Sequence, residues 1–556
     1  MKSDQLIMNY FRIQKMLLVI VAACSVIFCT AQKSNTPPHI EKINGHGQLI
    51  VQQKPFTILG GELGNSTASS LEEMRRHWPT LQQMGLNTVL APVYWELLEP
   101  EENKFDFSLV DGLIADARKY NLKLVFLWFG TWKNSMSSYA PVWMKTNPAR
   151  FPRTQDKQKN SQEIFSVFGK ETLEADKKAF ARLMRHIRET DEQQNTVIMM
   201  QVENEIGMLP TSREFSAIAD QQFNSNIPNA LSSYLQKNAT ELVPELQQQL
   251  KKQGGKKSGT WAQVFGEGLS TDEIFQAWYY AGYTNEVTKA GKKEYNLPMF
   301  VNAALPRPGK LPGEYPSAGP LPHLMNIWNA AAPDIDMLSP DFYNPDTKYW
   351  CNLYDRMGNT IFVPEMQFDI SCAAKAFYII GHHQAIGFSP FSIESDNAGA
   401  TPLSKTYAVL HQLLPTIHRK EWLKMDGFLF DKGNEVQQAD FGQVRMSVSH
   451  AYSLPWMGNK TDTLWPATGG IILQTAPDEF LVAGTGIVVT FASTDSNYVY
   501  NIASADEIIF KNGKPEKQRR LNGDQTHQGR HVRIDFEEWG IQQVKLYRSP
   551  RSIASK

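Results

Sequence analysis

The chain has 556 residues, 56 basic and 57 acidic side chains, and a formal net charge of −1. A barrel of about 250 residues, or more with insertions, would leave space for a further module, so one domain is not the expected architecture. Charges of both signs are mixed along the whole chain, which gives no electrostatic footprint for a nucleic-acid or other polyanionic partner.

At the amino terminus Arg12 and Lys15 precede an apolar run from Met16 to Cys29, the pattern of a signal peptide. The run is too short and too near the start to need a membrane-spanning role. Two processing routes are open. Cleavage after Ala31, at Cys29-Thr30-Ala31, would release a soluble chain, and the apolar run continuing past Cys24 favours it. The alternative is Val21-Ala22-Ala23-Cys24, which resembles a bacterial lipobox and would place a lipid anchor on Cys24. Both imply export, to the periplasm or cell surface of a bacterium. Removing this segment leaves Cys351 and Cys372, which are either a disulfide or free thiols.

The first strand is expected at 56–61, followed by a helix with Leu71, Met74, Trp78 and Leu81 at helical spacing until Gly85. The second strand is expected at 88–94, and the next helix shows Leu109, Leu113 and Ala117 on one face. A third strand at 122–129 and a helix with Phe180, Leu183, Met184 and Ile187 lead to a fourth strand built on the apolar stretch Val197–Met200. Later strands fall at 299–302, 336–342, 360–366 and 385–392, completing the eight of a (β/α)8 TIM barrel. Between the fourth and fifth lies an excursion of about 90 residues whose polar, glycine-broken stretch at 247–259 reads as an exposed loop. Beyond 415, apolar segments alternate with turn-rich gaps, the pattern of antiparallel β structure. The expected organisation is a signal peptide at 1–31, a catalytic barrel at 32–415 and a smaller, sandwich-like all-β domain at 416–556. That last domain is either a carbohydrate-binding module or a β domain that braces the barrel or makes an oligomer contact, and no exposed aromatic platform is evident to favour the first.

Two strand ends carry chemistry. Residues 196–207 run from Thr196 through an apolar stretch into Glu203, Asn204 and Glu205, polar groups that would be costly to bury without partners. In residues 359–369, Glu365 again ends a short apolar stretch. Strands four and seven of a closed barrel could bring Glu205 and Glu365 together, and two opposed carboxyls are what glycosidic cleavage commonly requires. Glu203, two residues earlier on the strand, reads as a deeper hydrogen-bonding partner. Glu62 after strand one, Trp132 and Asn134 after strand three and Tyr343 after strand six belong on the same carboxyl-terminal face and are candidate substrate contacts. Tyr343 could also hold the Glu365 carboxylate in orientation. No Cys/His cluster has zinc spacing, His382-His383 reads as a helix-end or loop pair, and the chemistry calls for neither metal nor cofactor.

The segment Gln201-Val202-Glu203-Asn204-Glu205-Ile206-Gly207 resembles the Gln-Val-Glu-Asn-Glu-Tyr-Gly signature of glycoside hydrolase family 35, the β-galactosidases. Trp95-Glu96-Leu97-Leu98-Glu99-Pro100 is similar to that family's Trp-Asn-x-His-Glu-Pro, and the resemblance covers roughly residues 45–415. It implies a clan of (β/α)8 enzymes in which Glu205 is the acid/base, Asn204 a ligand of the sugar 2-hydroxyl and Glu365 the nucleophile. It further implies a retaining, exo-acting β-galactosidase with a carbohydrate substrate. The chain departs from the family within Pro92–Pro100, where it lacks the family's tyrosine, asparagine and histidine, and at Phe129-Gly130-Thr131-Trp132-Lys133-Asn134, where the family holds galactose hydroxyls. It therefore resembles a divergent bacterial branch sharing some character with family 42. A β-glucoside, β-glucosaminide or α-L-arabinopyranoside as substrate, or a catalytically silent glycan-binding protein, are the alternatives.

Overall fold

In the computed structural model, residues 36–420, 422–457, 464–511 and 513–551 are described. The expected signal peptide and Cys24 lie outside them. Eight parallel strands form one sheet: β1 (Ile58–Glu62), β2 (Thr88–Tyr94), β3 (Lys123–Phe129), β4 (Val197–Val202), β5 (Met299–Ala304), β6 (Met337–Phe342), β7 (Glu365–Met366) and β8 (Gly387–Phe388). Neighbours follow chain order from β1 to β7, β8 pairs with β1 through Gly387–Ile58, and a bridge between Val363 and Phe388 joins the seventh strand to the eighth. The sheet is thus a closed barrel. Every residue of β2 and β4 is buried, as expected of apolar strands covered on both sides.

The β7 ladder is only two residues long, because Pro364 offers no N–H and the apolar stretch before it makes only the Val363 bridge. Glu365 nevertheless sits in register with Asp341 of β6.

Two features differ from the sequence expectation. A three-stranded antiparallel sheet (His39–Ile43, His46–Val51, Lys54–Phe56) precedes the barrel. The excursion between β4 and β5 is largely helical: Ala217–Phe223, Asn229–Lys237, Pro244–Lys252, Trp261–Phe265 and Leu269–Glu294. The polar stretch expected as loop contains a helix whose Leu246 and Leu250 are buried, so its polar residues are the outer face. Cys351 and Cys372 are both free and buried. His382 and His383 bond Asp426 and Asp355, carboxylates distant in sequence.

The helix Ala400–Arg419 follows β8, and the all-β region starts at Lys424. A six-stranded and a four-stranded sheet enclose an apolar core that includes Phe428, Phe441, Met446, Phe480 and Val544. The other face of the larger sheet packs on the barrel: Met425, Leu429, Ile471 and Leu481 share one core with the helix Cys372–His382 that follows β7. Glycine makes this approach possible. A Cβ on Gly427 would lie 2.7 Å from the His382 nitrogen, and one on Gly469 2.7 Å from the Ala374 oxygen. Among the described residues no helix is long and apolar enough to cross a membrane.

Candidate active site

The carboxyl ends of the barrel strands bring four carboxyl groups together. Glu205, Asp341 and Glu365 each offer an oxygen within 4.8 Å of the other two, and Glu62 at the end of β1 is the fourth. Lys133, on the loop after β3 and only 8% exposed, is the cation that offsets Glu62, Glu205 and Glu365. Its Nζ lies 5.0 Å from the centroid of the Phe129 ring. The three-oxygen spacing would also suit a cation, but Lys133 already supplies positive charge at this cluster.

Backbone strain marks the end of β4. Glu203 and Glu205 both have positive φ, 59° and 44°, a conformation uncommon for side-chain-bearing residues and often found where a site over-determines the geometry. The chain is held there by side chains from neighbouring strands. Asn302 of β5 accepts the Glu205 N–H at 2.9 Å and donates to Asp341 Oδ2 at 2.7 Å. Glu205 keeps partial exposure, whereas Glu365 and Asp341 are buried.

Burial is the largest influence on every carboxyl. It raises Glu205, against which Lys133 and a hydrogen bond with Asp341 pull downward. It pushes Glu365 up to about 7, with the Glu205 charge adding and Lys133 and Tyr343 opposing. Asp341 and Glu62 are raised well above the usual carboxylate range by burial, then by the facing glutamates. One lysine among four carboxyls means that the cluster holds protons at neutral pH.

The sequence candidates take different places. Tyr343, half exposed, donates its phenol to Glu365 Oε1. Glu62 is 2% exposed, and its Oε2 has no hydrogen-bond partner. Asn204 is fully buried: its Nδ2 donates to the Lys133 carbonyl at 2.5 Å, and its Oδ1 accepts from Gln201 at 2.8 Å. Its amide is turned inward and offers a sugar no surface. Trp132 is also fully buried, edge-on to Tyr280 and Tyr283 of the long helix Leu269–Glu294, so it is a core residue and not a stacking platform. Asn134 closes a turn by accepting from Met136 N and Ser137 Oγ.

Glu203 accepts the Trp132 N–H at 2.7 Å and hydrogen-bonds Asp176, behind the site. Its positive φ breaks strand alternation, and its side chain meets the loop after β3. Asp341, Asn302 and Lys133 were not candidates from sequence. Asp341 and Asn302 lie within apolar strand segments, and that interior position in a buried strand is the signal that could have found them.

A cleft of about 620 Å³ opens beside the cluster, lined by Asp341, Tyr343 and the loops at 304–316 and 343–345. Arg307 and Lys310 stand on its exposed rim.

Residues 67–264 match the model of glycoside hydrolase family 42, described as beta-galactosidase, and residues 403–533 match a domain of unknown function, DUF5597. Comparison with curated proteins returns no match. Among solved structures, a beta-galactosidase from the psychrophilic Marinomonas ef1 is similar at 11% identity and TM-score 0.44, over 64% of this chain and 60% of that one. A beta-galactosidase from Bacillus circulans sp. alkalophilus is similar at 14% identity and TM-score 0.45, over 64% of this chain and 56% of that one. The catalytic domain of a beta-amylase from Paenibacillus polymyxa gives 12% identity and TM-score 0.42, over 62% of this chain and 96% of that one. This chain thus spans less than two thirds of the length of either β-galactosidase. The model matched over residues 67–264 of the barrel is thus that of family 42, and the family 35 expected from Gln201–Gly207 is not confirmed.

Proposed function

We propose that the protein is a retaining, exo-acting β-galactosidase. The observation that carries this reading is the pair of strand-end carboxyls, Glu205 after β4 and Glu365 on β7, with oxygens within 4.8 Å. Retaining glycosidases have carboxyl groups about 5–5.5 Å apart, whereas inverting ones leave about 6.5–9.5 Å for a water molecule. Glu365 attacks the anomeric carbon while Glu205 gives its proton to the leaving oxygen. Glu205 then takes a proton from water, which releases the sugar from Glu365. Tyr343 orients the nucleophile, and the adjoining cleft receives the remainder of the glycan.

The inward amide of Asn204 and the departures at 92–100 and 129–134 favour, as a second reading, the same mechanism on a β-glucoside, β-glucosaminide or α-L-arabinopyranoside. Export to the periplasm or cell surface belongs to the proposal and rests on the pattern at 12–31, which mass measurement of the mature chain would check.

The test is hydrolysis of the four corresponding nitrophenyl glycosides, with the anomer of the first product followed by NMR. Release of galactose with retained configuration is expected. An inverted first product would overturn the mechanism, and activity confined to another sugar would overturn the specificity. Sugar binding without hydrolysis of any substrate would favour the silent binding protein.

A further inference from the structure

Asp341 is fully buried one residue before the end of β6, beside both proposed catalytic glutamates. Its two oxygens are differently engaged. Oδ2 accepts the Asn302 amide at 2.7 Å, while the buried Oδ1 has no hydrogen-bond partner among the described residues. The Asp341 and Glu205 carboxyls face each other with oxygens within 4.8 Å, and each shifts the other's titration in the direction a hydrogen bond from Asp341 to Glu205 would give. Two carboxyls hydrogen-bond only when one of them carries a proton, because an ionised carboxylate has nothing to donate. The titratable groups facing Asp341 are Glu365, Glu205 and Glu62 on neighbouring strands, Tyr343 two residues on, and Tyr354 on the following helix. None of these is a cation, so the surroundings favour neutral Asp341.

We propose that Asp341 is a permanently protonated positioning residue, which donates its hydrogen bond to Glu205 through both halves of the reaction. The inference rests on the assignment of Glu205 as acid/base. In the first half, the Glu205 proton passes to the glycosidic oxygen, the bond from that oxygen to the anomeric carbon breaks, and Glu365 bonds to the carbon. Charge then develops on Glu205 beside the Asp341 O–H. In the second half, a water proton goes to Glu205, the water oxygen bonds to the anomeric carbon and Glu365 leaves. Asp341 keeps its own proton throughout, so no further reactant is required. A donor aimed at the charge that appears on Glu205 assists in both directions.

Asparagine is neutral and can donate from the same position, whereas alanine cannot. Asp341→Ala is therefore expected to lower kcat by about 100-fold or more with KM within about threefold, and Asp341→Asn to recover most of that loss. The alkaline limb of the kcat/KM profile gives a sign that a merely structural role would not. Loss of a neutral donor raises the pKa of Glu205, so the limb moves up in Asp341→Ala and stays in place in Asp341→Asn. Loss of an anion would lower that pKa, moving the limb down in both variants, and this result would overturn the proposal. So would Asp341→Asn being as impaired as Asp341→Ala.

A readout independent of turnover is the infrared band of a protonated carboxyl, compared between the wild-type protein and Asp341→Asn at pH 7. One such band lost in the variant is expected, and no loss would overturn the proposal even if Asp341→Ala failed to fold. A wild-type protein without glycosidase activity would instead sink the assignment of Glu205, leaving the infrared result to judge Asp341 alone.

Discussion

Replacing the proposed nucleophile should make the protein more stable, and only above mildly acidic pH. Burial first, and then the neighbouring Glu205 charge, lift Glu365 from an ordinary 4.5 to about 7. The folded protein therefore binds this proton more tightly than the unfolded chain does. The contribution of Glu365 to stability is fully present below pH 4.5 and is lost as pH rises through 7. Each pH unit between the two values is worth about 1.4 kcal/mol, so ionised Glu365 costs the fold about 3 kcal/mol at pH 8. Glu365→Gln removes that cost and keeps an acceptor for the Tyr343 phenol. With an unfolding entropy of about 2.1 cal/mol/K per residue over about 520 residues, the variant should melt about 3 °C higher at pH 8. At pH 4.5 the two proteins should melt together. Thermal melts of both at the two pH values, at one scan rate, are the assay. A gap that does not change with pH, or a variant that melts lower at pH 8, would refute the reasoning.

Three further outcomes follow from the geometry. Tyr343→Phe removes a hydrogen bond to a charged group worth about 1.5–3 kcal/mol. It should lower kcat/KM by about 10- to 100-fold and move the acidic limb of the profile to higher pH, as Glu365 loses an influence that lowers its pKa. Glu205→Gln should cost about 10²- to 10⁴-fold in kcat, with a smaller loss for nitrophenolate leaving groups that depart without a proton; equal losses on alkyl and nitrophenyl glycosides would count against its role as acid. Trp132→Ala should destabilise by about 3–5 kcal/mol, seen in denaturant melts, because it empties a core site between Tyr280 and Tyr283. A change confined to KM would return Trp132 to the sugar.

How far the sequence can be read depends on how local each signal is. The strands that deliver Glu205 and Glu365 are legible because an apolar run ending in a carboxylate is a one-dimensional pattern. Trp132 carries no such signal. What buries it is a helix about 150 positions away, inside a segment whose polar outer face reads as loop. Asn204 is similar, since its inward turn is dictated by Gln201, Asn302 and a positive φ on either side. Asp341 is hidden for the opposite reason: a single acid inside Met337–Phe342 looks like a strand-end accident until the Glu365 register beside it is known.

The glycine seam at Gly427 and Gly469 has a bearing on how this molecule could be divided or recombined. Five residues separate the helix it clasps from the strand that carries Glu365, so the rear sheet acts as an anvil behind the nucleophile. A chain cut after Arg419 would leave that helix with an uncovered apolar flank and its strand without backing. The β region is thus not a cassette that could be traded for another accessory module, and any chimera preserving the site must inherit barrel and sheet together.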